Sequence, residues 1–352
     1  MSDRKWKEFQ VGGKNGLFRV KSSVSEIDMK NLNLEGGSVP YITRSNINNG
    51  ISRYVAKEQG GYLKNKGNVI TIGLDTQTVF YQPKDFFTGQ NIQVIEHDRM
   101  SRDVANFLIS LFKVQMRKFN WGGNGATLKR LNALKIMLPV DKNGDPDWDY
   151  IEYEGGRVYK EKIGKVLKYV RQKQKKLEED QRILNKLDLV ESKWKPFKLE
   201  DVATILSGRD IYKRERVVGN TPYVTSGTSN NGIGYFVGND NDTKSSEVIS
   251  VNRNGAVGHA FYHEYEAVFG NDTRRLIPYK GNKYSSLFLS LMITMQKEKY
   301  GYGLKMGTKR LRKQKVMLPV DSKGNPDWEY MELYMKKIEY KKLKKLVDYL
   351  QR

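Results

Sequence analysis

Apolar residues fall along this chain in three recurring patterns. Val69–Leu74 and Val248–Val251 are short runs rich in β-branched residues and bounded by polar ones, which predicts buried strands. Apolar residues at three- and four-residue spacings come later. Val104, Phe107, Leu108, Leu111 and Phe112 lie within 102–118, and Leu287, Phe288, Leu291, Met292 and Met295 lie within 284–297. Each set predicts an amphipathic helix with a core-facing stripe. The third pattern is a seven-residue period. Ile163, Val170, Leu177 and Leu184 are seven apart, with Val166 on the same seam, inside the proline-free stretch 157–190. Leu343, Leu346 and Leu350 carry an equivalent stripe near the C-terminus. These are coiled-coil seams, weakened by Lys173 and Asp180 at core positions. They predict helices that pair antiparallel within one chain or, alternatively, homodimerise through the same seams.

Between these elements lie turn signals such as Asn220-Thr-Pro-Tyr and Asn230-Asn-Gly-Ile-Gly. A glycine-rich loop follows each amphipathic helix, at 120–125 and 300–303. Then come a basic stretch and a short strand ending in Leu-Pro-Val. Strands and helices mix without regular βαβ alternation, so the fold class expected is α+β.

The chain is a tandem repeat. Met137–Tyr150 reappears as Met317–Tyr330 with ten of fourteen positions identical at an offset of 180. Fainter echoes lie upstream: Trp6-Lys-x-Phe9 with Trp194-Lys-x-Phe197, Val39–Thr43 with Thr221–Thr225, and Val69–Gly73 with Val248–Asn252. A period near 180 is too long for a solenoid and means two copies of a whole domain. The copies share a tail and differ in front. The expected organisation is a domain over 1–150, a helical spacer over 151–192, a second domain over 193–330 and a C-terminal helix over 331–352.

Charge narrows the partner. The 352 residues carry 62 Lys+Arg against 40 Asp+Glu, a formal +22, with pI near 9.7. Such an excess points to a polyanion, nucleic acid first and an anionic membrane second. Cysteine is absent, which excludes disulfides, thiolate zinc sites, iron–sulfur clusters and cysteine nucleophiles. The N-terminal residues lack an apolar h-region. The longest apolar stretch, Leu287–Met295, is half a membrane span and contains Ser290 and Thr294. A cytosolic, soluble protein is expected.

Catalytic chemistry is hard to find. Methylation of an exocyclic amine needs Asn/Asp-Pro-Pro-aromatic, and no Pro-Pro pair exists. Gly122–Lys129 lacks the Gly-Lys-Ser/Thr ending of a phosphate loop. His259, His263 and Glu264 read as core or surface residues, not a metal cluster. The acidic segment Asn143–Asp149 is a turn whose spacing does not match a calcium loop. Trp148 and Trp328 read as anchors at the root of each helix.

The chain resembles the specificity (S) subunits of type I restriction–modification systems. The likeness rests on the duplicated unit ending in Leu138-Pro139 and Leu318-Pro319, the Lys/Arg-rich stretch before it, and the helical regions. It also rests on Val248–Tyr262, which is similar to the strand–glycine–strand signature of a target recognition domain. The Pro-Asp-Trp-Asp/Glu-Tyr continuation is similar to S subunits of type IIB systems as well. The first copy, Val69–Tyr81, has one glycine where the second has two, and the C-terminal helix is short. The resemblance implies a noncatalytic subunit with two target recognition domains, each reading one half of a bipartite double-stranded DNA site. Paired helices would set the spacer and dock two DNA methyltransferase (M) subunits, with a restriction (R) subunit as a further partner. No cofactor would be bound by this chain, and S-adenosylmethionine would sit in the methyltransferase. A fused or stand-alone restriction enzyme and a basic RNA-binding adaptor are the competing classes.

DNA readout needs Arg for guanine and Asn or Gln for adenine, with Lys and Arg on phosphates. The divergent loops hold such residues. The candidates are Arg44, Asn46, Asn48 and Asn49 in the first copy, with Ser226, Thr228, Asn230 and Asn231 as counterparts. Arg253 and Asn254 sit at the strand–glycine turn. Thr127, Lys129 and Arg130, and Thr308, Lys309 and Arg310, precede the Leu-Pro strands. Loops that differ between copies predict an asymmetric target.

Overall fold

The computed structural model describes residues 4–120, 123–180, 192–301 and 303–351. The first copy runs β1 (Trp6–Gln10), β2 (Arg19–Ser22), β3 (Val39–Ile42), β4 (Ile51–Val55), β5 (Val69–Gly73), β6 (Val79–Gln82), β7 (Phe87–Thr88), β8 (Ile92–Glu96), α1 (Arg102–Met116), α2 (Leu128–Ala133), β9 (Lys135–Pro139) and α3 (Trp148–Glu178). The second runs β10 (Trp194–Lys198), β11 (Ala203–Ser207), β12 (Val218–Val224), β13 (Ile233–Val237), β14 (Val248–Asn252), β15 (Ala260–His263), β16 (Val268–Phe269), β17 (Thr273–Pro278), α4 (Lys283–Thr294), α5 (Thr308–Lys313), β18 (Lys315–Pro319) and α6 (Trp328–Leu350).

The sheets repeat strand for strand. The first copy orders a four-stranded sheet as β2-β8-β5-β6 and a three-stranded sheet as β4-β3-β7. The second orders them β11-β17-β14-β15 and β13-β12-β16. In each copy the first and last strands form a two-stranded ribbon. Trp6 faces Pro139 and Trp194 faces Pro319 in the same antiparallel register. The two best-matched sequence segments of each copy therefore pair with each other. Fold class α+β holds.

The run of five buried residues in β5 and in β14 is covered on one side by a helix. Ile70, Ile72, Val104, Leu108, Phe112 and Leu138 join in the first core. Ile249, Val251, Phe288, Leu289, Leu318 and Met331 join in the second. Each fully buried aliphatic or aromatic side chain contributes roughly 1.5–3 kcal/mol. Trp148 stacks on His97 at 4.1 Å between centroids and meets Phe18 edge-on, anchoring the root of α3 as expected.

The central helix starts earlier than its sequence suggests. It begins at Trp148, three residues before the expected spacer of 151–192, and Asp147 Oδ1 accepts the Tyr150 amide at 3.0 Å. Gly155-Gly156 lies inside it and serves close packing. A Cβ on Gly155 would stand 1.9 Å from the Asp103 carbonyl oxygen of α1. The equivalent contact is wired alike in both copies. Ser101 Oγ donates to Glu152 at 2.9 Å, and Asn282 Nδ2 donates to Glu332 at 2.6 Å.

Two compact units result, Met1–Val166 and Leu167–Arg352, so the division falls within α3. In the second unit side-chain contacts join the end of α3, and Asp180 just beyond it, to α6. Lys173 pairs with Glu339 at 3.6 Å, Tyr340 OH donates to Glu178 at 3.1 Å, and Lys336 pairs with Asp180 at 3.2 Å. From the first of these to the third, position rises along α3 and falls from Glu339 to Lys336 along α6. The apolar seam needs correction. Val170 and Leu177 are buried, and Ile163, Leu343 and Leu350 are half-buried. Val166 and Leu346 are 43% and 38% exposed, and Val347, not Leu346, is the buried residue of α6 there. Leu184 lies outside the described residues. Among those described, no helix is long and apolar enough to cross a membrane.

Candidate nucleic-acid interface

In each domain the loops at one end of the four-stranded sheet are tied together by the same backbone bonds. The residue after β14 is Arg253. Its amide donates to the Asp272 carbonyl at 2.8 Å, and its carbonyl accepts the Met306 amide at 3.2 Å. The residue after β5 is Leu74, whose amide donates to the Asn91 carbonyl at 3.0 Å and whose carbonyl accepts the Ala126 amide at 3.0 Å. The hairpin tip, the turn before the last sheet strand and the loop before the short helix thus converge in both copies.

A third loop joins them. Asn48-Asn49-Gly50 and Asn230-Asn231-Gly232 adopt three successive left-handed residues with φ of 50°, 57° and 78°, and 50°, 53° and 76°. Asn and Gly tolerate this conformation and most residues do not. Thr43 and Thr225 each close the turn by donating their backbone N–H to the glycine carbonyl, at 2.9 and 2.8 Å. In the second copy Asn252 Nδ2 donates to the Gly227 carbonyl at 3.0 Å, fastening this loop to the hairpin.

The sequence-derived candidates divide by what their side chains already hold. Arg44 pairs with Asp75, and Arg253 Nη2 pairs with Asp272 Oδ1 at 3.2 Å. Arg130 donates to the Gly125 and Gly123 carbonyls at 2.9 and 3.1 Å, and Arg310 donates to the Lys305 carbonyl. These two guanidiniums brace the loop ahead of α2 and α5. Thr127 caps α2, while Thr308 Oγ1 accepts from Arg274 Nε at 2.7 Å. Asn49 Nδ2 donates to the Tyr81 carbonyl at 2.8 Å, and Asn231 meets the Tyr265 hydroxyl. Ser226 packs against Gly255, and Asn254 is half-buried. Asn46, Asn48, Thr228, Asn230, Lys129 and Lys309 are exposed. The side chains of Lys129 and Lys309 form no ion pair among the described residues.

Sequence reasoning passed over the carboxylates Asp75 and Asp272 and the cation Arg274. Arg274 is 5% exposed beneath the cluster, and its Nη1 donates to the Asn271 and Thr273 carbonyls. Burial, with Arg253 nearby, lowers its pKa. Its neighbour Arg275 is buried as well and donates to the Thr243 and Ser207 carbonyls. In sequence both look like ordinary surface cations. His263 is fully buried, with its Nε2 2.8 Å from Ser250 Oγ.

The duplicated fold and duplicated loop cluster define a protein with two domains of one design. Residues 4–188 and 191–347 each match the type I restriction modification DNA specificity domain, and the chain belongs to that family. It is 34% identical over 305 residues to the type II restriction enzyme BgcI specificity subunit S.BcgI of Heyndrickxia coagulans, covering 86% of each chain. The solved type I restriction–modification S subunit from M. genitalium shares the fold over 100% of this chain and 92% of its own, with TM-score 0.52 at 17% identity.

Proposed function

We propose that this chain is the noncatalytic DNA-specificity subunit of a restriction–modification complex, reading a bipartite, asymmetric double-stranded site with one half-site per domain. The observation that carries this reading is the loop cluster. Its backbone wiring is the same in both copies, and its side chains differ, as at Leu74 and Arg253 or Arg44 and Ser226. One scaffold with two side-chain sets suits two different half-sites. Phosphate contacts would come from exposed lysines such as Lys129 and Lys309.

The end of α3 and the middle of α6 pair antiparallel in this reading, with the Lys173–Glu339 and Lys336–Asp180 contacts as support. They set the unread spacer and dock two methyltransferase subunits. S-adenosylmethionine belongs to those subunits, and a restriction subunit is a further partner of the same assembly.

The test is to co-express the full chain with its methyltransferase subunits and map modified bases in the host DNA. The expected pattern is two different short half-sites at a fixed separation. A single continuous palindrome would overturn the bipartite reading. Methylation by the purified chain alone with S-adenosylmethionine would overturn the noncatalytic one.

A further inference from the structure

We infer that each domain reads one guanine of its half-site through a single carboxylate-held arginine, Arg44 in the first and Arg253 in the second, with Asp75 and Asp272 as positioning residues. The inference rests on the duplex-DNA reading above. Both arginines lie in the convergent loop clusters, and both are partly exposed, with side chains 43% and 29% accessible. Asp75 ties the 43–48 loop to the hairpin after β5 through Arg44. Asp272 holds Arg253 twice: its carbonyl accepts the backbone amide, and its carboxylate accepts from Nη2.

A carboxylate on one edge of a guanidinium does two things. It holds a long side chain that would otherwise lose rotamer freedom on binding. It also cancels the charge while leaving the outward donors of a five-donor fork. A neutralised pair is a poor phosphate ligand, but its remaining donors fit the O6 and N7 acceptors of guanine. Lys129 and Lys309, without an ion pair among the described residues, have the opposite character.

The two arginines occupy non-equivalent positions. Arg44 stands where the second copy has Ser226, and Arg253 stands where the first has Leu74. The guanine should therefore fall at a different place in each half-site.

The test uses the full chain in complex with its methyltransferase subunits and a pool of randomised duplexes, with bound DNA sequenced. Wild type should fix one G·C pair in each half. Arg253→Ala should relax that pair in one half about tenfold or more and leave the other half unchanged. Arg44→Ala should do the converse. Arg253→Lys keeps charge and fold but not the fork, and should relax the same position as Arg253→Ala. Asp272→Asn should relax that position too, while raising affinity for unselected DNA because a negative charge is gone. A guanine that persists in Arg253→Ala, with affinity lowered evenly across sequences, overturns the inference and leaves the DNA reading standing. A wild-type complex that enriches no sequence overturns both.

Discussion

His263 Nε2 lies 2.8 Å from Ser250 Oγ in the sealed core of the second domain, and Gln82 Nε2 lies 3.1 Å from Thr71 Oγ1 in the first. The strand registers match, since His263 opposes Val248 and Gln82 opposes Val69. Both side chains lead to the left-handed turn. Gln82 donates to the Asn49 carbonyl at 3.1 Å, and His263 reaches Tyr265, whose hydroxyl meets Asn231. One buried polar relay thus supports the left-handed turn in each copy, built from an amide in one and an imidazole in the other.

That difference makes only the second domain acid-sensitive at this point. Burial lowers the His263 pKa from 6.5 to about 4. The fold favours the neutral ring, so its contribution is fully present above the unfolded pKa near 6.5. It is lost as pH falls from there toward 4 and is constant below. The loss amounts to on the order of 3 kcal/mol. His263→Gln, copying the first domain, should flatten this part of the stability profile. Urea midpoints at pH 7 and pH 4.5 check it, and equal acid losses in variant and wild type would refute it.

Two glycines of α3 should respond in opposite directions to the same change. Gly155→Ala drives a Cβ into the Asp103 carbonyl and should destabilise by ~1–3 kcal/mol through forced separation of α1 and α3. At Gly164 a Cβ would enter open space, with nothing within 4 Å, so Gly164→Ala should stabilise by up to ~1 kcal/mol from helix propensity alone. Thermal melts of both variants decide it. A neutral Gly155→Ala would mean that the helices do not approach there.

The repeat, the α+β class and the buried strands were legible because identity and apolar periodicity register packing directly. The packing role of Gly155-Gly156 was not, because it depends on the backbone of α1 lying against them. Burial on α6 departs from the heptad at Leu346, and the same helix also meets α4, through Phe288 on Tyr334 and Tyr284 on Glu339. Heptad spacing alone cannot register a second partner. Among the loop candidates, residue type showed which chemistry was available. It did not show that Arg130 and Arg310 spend their donors on carbonyls or that Asp272 holds Arg253.

Asn230 permits its two roles to be separated. Its φ of 50° is one that glycine also tolerates, and its exposed side chain has no hydrogen-bond partner among the described residues. Asn230→Gly should therefore keep the melting temperature within a degree or two of wild type, by roughly 0.5 kcal/mol or less, yet weaken DNA binding if the side chain contacts a base or phosphate. Unchanged affinity would leave Asn230 as a turn former only.

Lys309 and Arg310 are neighbours with different work, and salt titrations should separate them. Lys309 is exposed and unpaired among the described residues, whereas Arg310 is engaged with the Lys305 carbonyl. A lysine on a phosphate releases a counterion, so Lys309→Ala should reduce the slope of log affinity against log salt by roughly 0.9. Lys129→Ala in the first domain should do the same, and the double variant should add the two effects. Arg310→Ala should instead loosen the loop ahead of α5 and lower affinity with a smaller change of slope. A slope unaltered by Lys309→Ala removes that lysine from the phosphate contacts, and a full unit lost on Arg310→Ala would mean that its guanidinium leaves the carbonyl for DNA.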